Sequence, residues 1–199
     1  MTRRRWISAA LALGAAFASG CDKLGPSRSP FFGVDVTGAK MGGELRLKDS
    51  TGKDRALADF RGKVVALFFG YTHCPDVCPT TLADMAKAMK LLESDARRVQ
   101  VLFVTVDPKR DTPELLGQYV PAFDPSFLGL WGDAGATTKA TKDFNIYFQE
   151  RAGKDAGSYT VDHTAQSFVI DKEGRLRLVW PYGIEPAQMA GDLKVLLNS

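Results

Sequence analysis

Two cysteines four positions apart are the residues of this sequence best suited to chemistry. Cys74 and Cys78 lie in the segment Gly-Tyr-Thr-His-Cys-Pro-Asp-Val-Cys-Pro (70–79). Paired thiols can form a disulfide, bind a soft metal ion or act as redox nucleophiles, and the thiolate is the form that binds metal and attacks. Three residues separate the cysteines, one more than in a C-x-x-C motif. This spacing leaves room for a metal ion between the sulfurs and keeps a disulfide available.

Each of the two cysteines is followed by a proline. Because a residue before proline is biased away from helical backbone, the segment 74–78 is predicted to be a stiff loop that presents both sulfurs on one side. A stabilising disulfide is the plain structural alternative. Closing so small a loop would contribute only about 2 kcal/mol, so the position of the pair favours a functional interpretation.

A buried strand and an amphipathic helix must position the cysteines. The continuous apolar run Val64–Phe69 predicts a strand covered on both faces. Apolar residues at helical spacing from Leu82 to Leu92 predict a helix, in which Met85 and Met89 are core residues. Ligands of open α/β sheets bind at the carboxyl ends of strands, and a helix N-terminus favours negative charge. The thiols therefore lie where thiolates are stabilised.

The rest of the chain alternates strands and helices early and ends with a hairpin and a helix. This pattern predicts an α/β fold, and the element order resembles a thioredoxin-like fold with insertions, in which helices flank a central mixed sheet. The acid, proline and glutamate of Asp111-Thr-Pro-Glu predict a capped helix start. The further predicted strands are 43–48, 99–106, 128–131, 146–150, 167–171 and 176–179, and the further predicted helices are 111–120, 134–144 and 185–197.

A histidine far along the chain is the third candidate site residue. His163 lies in Val-Asp-His-Thr-Ala (161–165), just before the predicted strand 167–171. In a thioredoxin-like sheet, the loop that enters this strand faces the cysteine loop. Two thiolates and one imidazole would form a small, soft site suited to copper. The other histidine, His73, either tunes this site or occupies an exposed loop position.

Composition excludes several classes of protein. The chain has 199 residues, three cysteines, two histidines and a formal net charge of +3. Its composition is that of an average globular protein, which excludes a collagen-like, wholly disordered or polytopic membrane protein. The net charge is too small to indicate nucleic-acid binding. Three cysteines cannot build a multi-bridge disulfide framework, and two histidines cannot supply a His-only metal site. One domain is therefore predicted.

The first twenty residues have the layout of an export signal. Arg3, Arg4 and Arg5 precede an apolar stretch over 7–17, and small residues precede Cys21. Residues 21–31 are rich in glycine, proline and serine and predict an extended tether, followed by a folded domain over 32–199. An uncleaved transmembrane anchor is the alternative, although about 20 apolar residues are needed to span a membrane.

The export segment resembles a bacterial lipobox, in which Cys21 would receive the lipid and become the mature N-terminus. Ala18 departs from the leucine usual at that position. Asp22 resembles the inner-membrane retention signal of Gram-negative lipoproteins. The arginines fit either general secretion or twin-arginine export. The resemblance implies a protein exported and anchored to the periplasmic face of the bacterial inner membrane.

Three ordered segments resemble signatures of the Sco/SenC family. They are the cysteine segment 70–82, Val-Asp-Pro-Lys-Arg-Asp-Thr-Pro-Glu (106–114) and Asp-His-Thr-Ala (162–165). The resemblance implies a membrane-tethered copper chaperone that assists assembly of the copper A site of cytochrome c oxidase. It also implies that Cys74, Cys78 and His163 ligate Cu(I) or Cu(II), and that the cysteines cycle between dithiol and disulfide.

The implied partners are the copper A-bearing oxidase subunit and, beyond it, other copper chaperones or thiol reductants. Two interpretations of the protein as an enzyme remain open. One is a thiol-disulfide oxidoreductase for which copper is incidental, and the other is a peroxiredoxin-like peroxidase. Against the first, the residue that enters the strand after His163 is not the proline that thioredoxins place there. Asp107 and Asp111 either steer a partner or support the site, and helix capping alone would explain Asp111.

Overall fold

A computed structural model describes residues 29–155 and 157–199 of the chain. These residues form ten strands, four α-helices and two short 3₁₀ helices, Leu57–Phe60 and Glu93–Arg98. The strands are β1 (Val34–Asp35), β2 (Arg46–Asp49), β3 (Asp54–Ala56), β4 (Val64–Gly70), β5 (Val99–Thr105), β6 (Leu128–Trp131), β7 (Phe148–Ala152), β8 (Tyr159–His163), β9 (Ser167–Ile170) and β10 (Leu176–Trp180). The helices are α1 (Val77–Leu92), α2 (Pro113–Tyr119), α3 (Ala134–Asp143) and α4 (Pro186–Asn198).

Eight of the strands form one mixed sheet in the order β1-β10-β9-β4-β5-β6-β2-β3. β4 pairs in parallel with β5, β5 pairs in parallel with β6, and the remaining neighbours are antiparallel. Every residue of β4 and β5 is buried. Because successive side chains of a strand point to opposite faces, the centre of the sheet is covered on both sides. The predicted thioredoxin-like α/β fold is confirmed.

The amphipathic helix α1 links the strand β4 to the rest of the core. It packs against α4, and its buried side chains include Met85 and Met89. These methionines are 2% and 4% exposed and lie in the hydrophobic core, as their helical spacing predicted. The helix thereby fixes the orientation of its own first turn, which carries Cys78, and of the loop before it, which carries Cys74.

A two-stranded sheet of β7 and β8 lies outside the main sheet and ends at His163. His163 is paired with Phe148 across this hairpin. The strand predicted over 146–150 corresponds to β7, which begins at Phe148, whereas β8 was not predicted. The segment Tyr-Thr-Val-Asp-His is short and has only one buried residue, so its alternation is a weak signal for a strand.

The boundaries of other elements differ from the prediction at sheet edges. The edge strands β1 and β3 were not predicted, because two or three largely exposed residues carry no periodic signal. The strand predicted over 43–48 begins at Arg46 and continues to Asp49. The predicted signal over 1–20 lies outside the described residues, as does most of the predicted tether over 21–31.

Candidate metal centre

The structure brings Cys74, Cys78 and His163 together. One ligand atom from each residue, the two sulfurs and a ring nitrogen, lie within 4.8 Å of one another. Cys78 Sγ is 3.4 Å from His163 Nε2, although 85 positions separate the two residues in sequence. Both cysteines are free thiols. Sulfur and imidazole nitrogen are donors that suit copper and zinc, so the cluster can hold a soft metal ion.

The two cysteines occupy different local structures. Cys74 lies in the loop after β4 and is partly exposed, whereas Cys78 is the second residue of α1 and is fully buried. The prediction of one stiff loop over 74–78 was therefore wrong at its C-terminal end. Pro79 falls in the first turn of the helix, where backbone N–H groups have no partner within the helix, so a proline is tolerated there.

The surroundings of the two thiols favour one thiolate and one thiol. A hydrogen bond from the Cys78 thiol lowers the pKa of Cys74, and although partial burial opposes this, His163 and the Cys78 backbone N–H add to the lowering. The pKa of Cys78 is raised, because its proton is held by Cys74 and burial disfavours its thiolate. The reduced site thus presents a Cys74 thiolate at the N-terminus of α1, where the helix dipole favours negative charge.

His163 is oriented by a backbone carbonyl and two aromatic rings. Its Nδ1 lies 3.0 Å from the carbonyl oxygen of Thr164. Since a carbonyl only accepts, Nδ1 must carry a proton in this hydrogen bond, and Nε2 is the ring nitrogen that faces the sulfurs. Phe68 and Tyr71 pack edge-on against the imidazole, with ring centroids 6.0 and 5.9 Å away.

Gly70 makes room for the buried sulfur. A Cβ atom at this position would lie 2.8 Å from Cys78 Sγ, 2.9 Å from Phe103 Cε2 and 3.0 Å from Phe68 Cε1. Carbon and sulfur cannot approach so closely without displacement. The glycine at the end of β4 is therefore required by the position of Cys78, a constraint that the sequence motif alone did not reveal.

Asp111 fastens the cysteine loop to β5. Its carboxylate is fully buried and accepts hydrogen bonds from the Thr72 backbone N–H, the Thr72 hydroxyl and the Thr105 hydroxyl. The prediction that Asp111 caps the following helix was wrong, since Thr112 is the N-cap and its side chain accepts from the Leu115 N–H. Asp111 supports the site instead, which is one of the two roles considered for it.

The other histidine lies beside the cluster and not in it. His73 has a half-exposed side chain, and its Nδ1 is 3.0 Å from the Thr72 hydroxyl and 3.7 Å from a carboxylate oxygen of Asp111. It belongs to the loop that Asp111 holds, and the group of potential ligands among the described residues does not include it.

Several residues near the cluster had no signal in the sequence. Tyr71 is buried, and its hydroxyl accepts a hydrogen bond from the Val161 N–H of β8. Arg110 and Tyr159 stack on each other, with the guanidinium carbon 3.5 Å from the ring centroid. Asp107 is bound to both of them. Arg110 lies within the family-like segment 106–114, but nothing in its spacing indicated a contact with β8.

The predicted membrane anchor lies outside the described residues. Cys21, the predicted lipidation site, lies outside the described residues. Within the described part of the chain, no helix combines the length and apolar character that a bilayer crossing requires.

A thioredoxin-like fold with a Cys-Cys-His cluster at the end of its central strand defines a class of soft-metal and thiol-redox proteins. The SCO1/SenC family model matches residues 35–198. The chain belongs to this family, as the three sequence segments predicted. A mitochondrial SCO2 homolog of Danio rerio is 38% identical over 134 residues, which cover 66% of this chain and 48% of that protein. The chain thus spans about half the length of this curated relative.

Two solved structures extend the comparison. Bradyrhizobium japonicum ScoI with copper bound is 39% identical, with a TM-score of 0.73 over 79% of this chain and 99% of that one. A SCO1/SenC family lipoprotein from Bacillus anthracis str. Ames is 26% identical, with a TM-score of 0.67 over 81% of this chain and 96% of that one.

Proposed function

We propose that this protein is a copper chaperone in which Cys74, Cys78 and His163 bind Cu(I) and Cu(II). The observation that carries the proposal is the convergence of these three donors within 4.8 Å from two distant parts of the chain. Copper bound to the related ScoI of Bradyrhizobium japonicum supports it. Thiolates favour Cu(I), and the imidazole helps to hold Cu(II), so one small site can accept both oxidation states.

Copper binding and thiol redox chemistry are coupled in this site. A disulfide between Cys74 and Cys78 would offer no thiolate, so the pair must be reduced before copper binds. The partly exposed Cys74 and the buried Cys78 differ in access to a partner. Transfer would proceed through ligands shared with the partner, beginning on the exposed side, with no release of a free ion.

The recipient is the copper A-bearing subunit of cytochrome c oxidase. Assembly of that site is the role implied by membership of the SCO1/SenC family. Other copper chaperones would load the protein, and thiol reductants would keep its cysteines reduced. A lipid on Cys21 would hold it at the periplasmic face of the bacterial inner membrane, and the Bacillus anthracis lipoprotein of the same family supports this mode of anchoring.

Copper titration of the reduced protein tests the site. We expect about one copper per chain and visible absorption from thiolate-to-Cu(II) charge transfer, which Cys78→Ser should abolish. His163→Ala should weaken Cu(II) binding more than Cu(I) binding, whereas the matched variant His73→Ala should leave both close to wild type. Equal losses for both ions in His163→Ala would argue against the role assigned to the imidazole.

A thiol-disulfide oxidoreductase is the second candidate, favoured by the asymmetry of the two thiols. Cys74 has a lowered pKa and partial exposure, and Cys78 is a buried partner that could resolve a mixed disulfide. Each turnover would pass two electrons and two protons from the dithiol to a partner disulfide. Repeated reduction of a disulfide, or of peroxide, by the metal-free protein with a thiol reductant would support an enzyme over a chaperone.

Gene deletion separates delivery from reduction in the cell. If added copper alone restores the copper content of the oxidase in the deletion strain, delivery is the main role. If copper fails and a mild thiol reductant succeeds, reduction of the partner's cysteines is the main role. Complementation with Cys21→Ala, compared with wild type by membrane fractionation, tests the lipid anchor.

A further inference from the structure

Three residues hold the hairpin that carries His163, at the end of β8 opposite to this histidine. Arg110 Nε lies 2.5 Å from a carboxylate oxygen of Asp107, and Arg110 Nη1 donates to the carbonyl oxygen of Tyr159 at 2.8 Å. The Tyr159 hydroxyl donates to the other oxygen of the same carboxylate, also at 2.8 Å. We call Asp107, Arg110 and Tyr159 the hairpin clasp.

In the hairpin clasp each of the three residues contacts the other two around a buried charge, and only Arg110 Nη2 is buried there without a hydrogen-bond partner. Asp107 is 3% exposed, and the arginine that neutralises it covers the face of the Tyr159 ring at 3.5 Å. Hydrogen bonds to an ionised, buried carboxylate are among the stronger ones, and stacking of a guanidinium on tyrosine adds to them. A lysine could not make the same contacts. Its ammonium group lacks the planar guanidinium, which donates to two different acceptors and stacks on an aromatic ring at the same time.

The hairpin clasp matters for His163 because contacts of side chains, and not pairing with the main sheet, fix the hairpin: besides the clasp, Val161 is buried in the core and Glu150 pairs with Lys109. β7 and β8 pair with each other and not with the main sheet. A two-stranded hairpin is marginally stable by itself, so its position depends on its contacts with the rest of the domain. In the middle of β8, the Val161 N–H donates a hydrogen bond to the Tyr71 hydroxyl at 3.2 Å. The next contact toward Tyr159 is the hairpin clasp.

The cysteines have a separate support. Cys78 belongs to α1, and the loop that carries Cys74 is fastened to β5 by Asp111 through Thr72. Asp107 and Asp111 lie in one turn, where the Asp111 N–H donates to the Asp107 carbonyl oxygen at 3.0 Å. Within this turn, Asp111 thus supports the loop of Cys74, and Asp107 supports the hairpin that carries His163.

We propose that Asp107 and Arg110 are positioning residues for His163, which keep its Nε2 against the sulfurs through the hairpin clasp. Loss of the clasp loosens β8 and withdraws the imidazole while both thiolates stay in place. Cu(II) binding, which uses the imidazole, then falls, and Cu(I) binding to the thiolates persists. The statement about copper rests on the proposed function, but the statement about the position of β8 does not.

Amide hydrogen exchange on the reduced, metal-free protein tests the positioning directly. In Arg110→Met we expect the amides of Tyr159–His163 to exchange at least about tenfold faster, with β4 and β5 unchanged. The matched control is Arg151→Met, which removes an exposed arginine from the same hairpin and breaks only its ion pair with Asp162. Unchanged exchange in β8, or the same acceleration in the control, would overturn the proposal.

Copper binding by the same variants supplies the second measurement. We expect about tenfold weaker Cu(II) binding in Arg110→Met, with loss of nitrogen hyperfine coupling in the electron paramagnetic resonance spectrum, and Cu(I) affinity close to wild type. An equal loss for both ions, or an unchanged spectrum, would overturn the positioning role. If wild-type protein bound no copper, the proposed function would fail, and the exchange data would still decide whether the clasp positions β8.

A milder variant keeps the proposal testable if Arg110→Met does not fold. Tyr159→Phe keeps the stacked ring and removes only the hydroxyl that donates to Asp107. We expect an acceleration of exchange in β8 between those of wild type and Arg110→Met. If Arg110→Met does not fold, Tyr159→Phe together with Arg110→Lys decides the question, and wild-type exchange in both would contradict the proposal.

Discussion

The Asp111 carboxylate accepts hydrogen bonds from both the backbone N–H and the hydroxyl of Thr72, at 3.0 and 2.6 Å, across 39 positions of sequence. Thr72 lies two residues before Cys74, so this contact fixes the loop from which the partly exposed sulfur projects. The same carboxylate accepts from the Thr105 hydroxyl at 2.6 Å, which ties the loop to the end of β5. A buried acid outside the group of potential ligands thus shapes the candidate metal centre.

Replacement of Asp111 by alanine is expected to destabilise the protein by about 2–4 kcal/mol. The change leaves the partly buried Thr72 N–H and the buried Thr105 hydroxyl without an acceptor, and each such loss costs roughly 1–3 kcal/mol. Urea unfolding of the reduced protein measures the effect. Asp95→Ala is the matched control, because Asp95 forms an exposed ion pair with Arg98 and should change stability by less than about 1 kcal/mol. Similar midpoints for the two variants would contradict the role given to Asp111.

Gly70→Ala is expected to disturb the buried sulfur. The added Cβ would lie 2.8 Å from Cys78 Sγ and within 3.0 Å of the Phe68 and Phe103 rings. Overpacking of this kind costs about 1–3 kcal/mol, and relief by movement of the sulfur would shift the charge-transfer band of the Cu(II) form. Thermal unfolding and the visible spectrum measure the two effects.

Gly135→Ala provides the control for added volume at a glycine. A Cβ there meets only a carboxylate oxygen of Asp133 at 3.3 Å, and the residue lies in α3, where alanine is the better helix former by about 1 kcal/mol. We therefore expect unchanged or slightly higher stability and an unchanged copper spectrum. A Gly70→Ala protein that resembled this control would show that the glycine is not needed to house Cys78.

Alkaline pH is expected to weaken the hairpin clasp. Burial and the hydrogen bond to Asp107 raise the pKa of Tyr159 to about 12 from its ordinary value of 10.0. A group with a raised pKa in the folded state stabilises the fold fully below its unfolded value, and this contribution is lost as the pH rises through the folded value. Stability contributed by Tyr159 should therefore decline between about pH 10 and pH 12.

Spectrophotometric titration of tyrosinate absorbance checks this prediction. Wild type should show a titration near pH 12 that is absent from Tyr159→Phe and shifted toward 10 in Asp107→Asn. Urea unfolding at pH 9 and pH 11 should show a smaller loss of stability in Tyr159→Phe than in wild type. The same loss in both proteins would mean that the Tyr159 phenol does not contribute to the alkaline effect.

The fold and the site are predictable from the sequence where a pattern is long or where spacing and topology agree. The run Val64–Phe69 predicted the buried central strand, and the cysteine spacing together with the topology expected around His163 predicted the three members of the cluster. The sequence carries no such signal where one side chain forms hydrogen bonds with a distant segment. Asp111 matched the pattern of a helix cap, and only the fold shows that its carboxylate faces Thr72.

The hairpin of His163 illustrates the same limit. Tyr159 and Arg110 meet across 49 positions, and neither residue type nor spacing indicates their contact. The position of Cys78 inside α1 was not predicted, because a residue before proline is biased away from helical backbone, whereas the first helical turn tolerates proline. Long-range side-chain contacts of this kind depend on the three-dimensional packing of the whole domain.

Alkylation of the reduced, metal-free protein is expected to modify Cys74 well before Cys78. Cys74 is partly exposed and has a lowered pKa, because it accepts a hydrogen bond from the Cys78 thiol, whereas Cys78 is fully buried and keeps its proton. Since the thiolate is the nucleophile, iodoacetamide should react with Cys74 even at about pH 5, and the rate at Cys78 should be at least about tenfold lower. Peptide mass spectrometry after timed quenching measures both rates.

The variant Cys78→Ala separates the two causes of this reactivity. Alanine removes the thiol that donates to Cys74 but leaves the sulfur of Cys74 at the N-terminus of α1, so its pKa should rise and its reaction at about pH 5 should slow. Cys74→Ala should leave Cys78 almost unreactive, because burial limits its access to the reagent. Rapid alkylation of Cys78 in that variant, or equal rates in wild type, would contradict the division of the site into an exposed thiolate and a buried thiol. Prior loading with Cu(I) should protect both cysteines, since both sulfurs are then ligands.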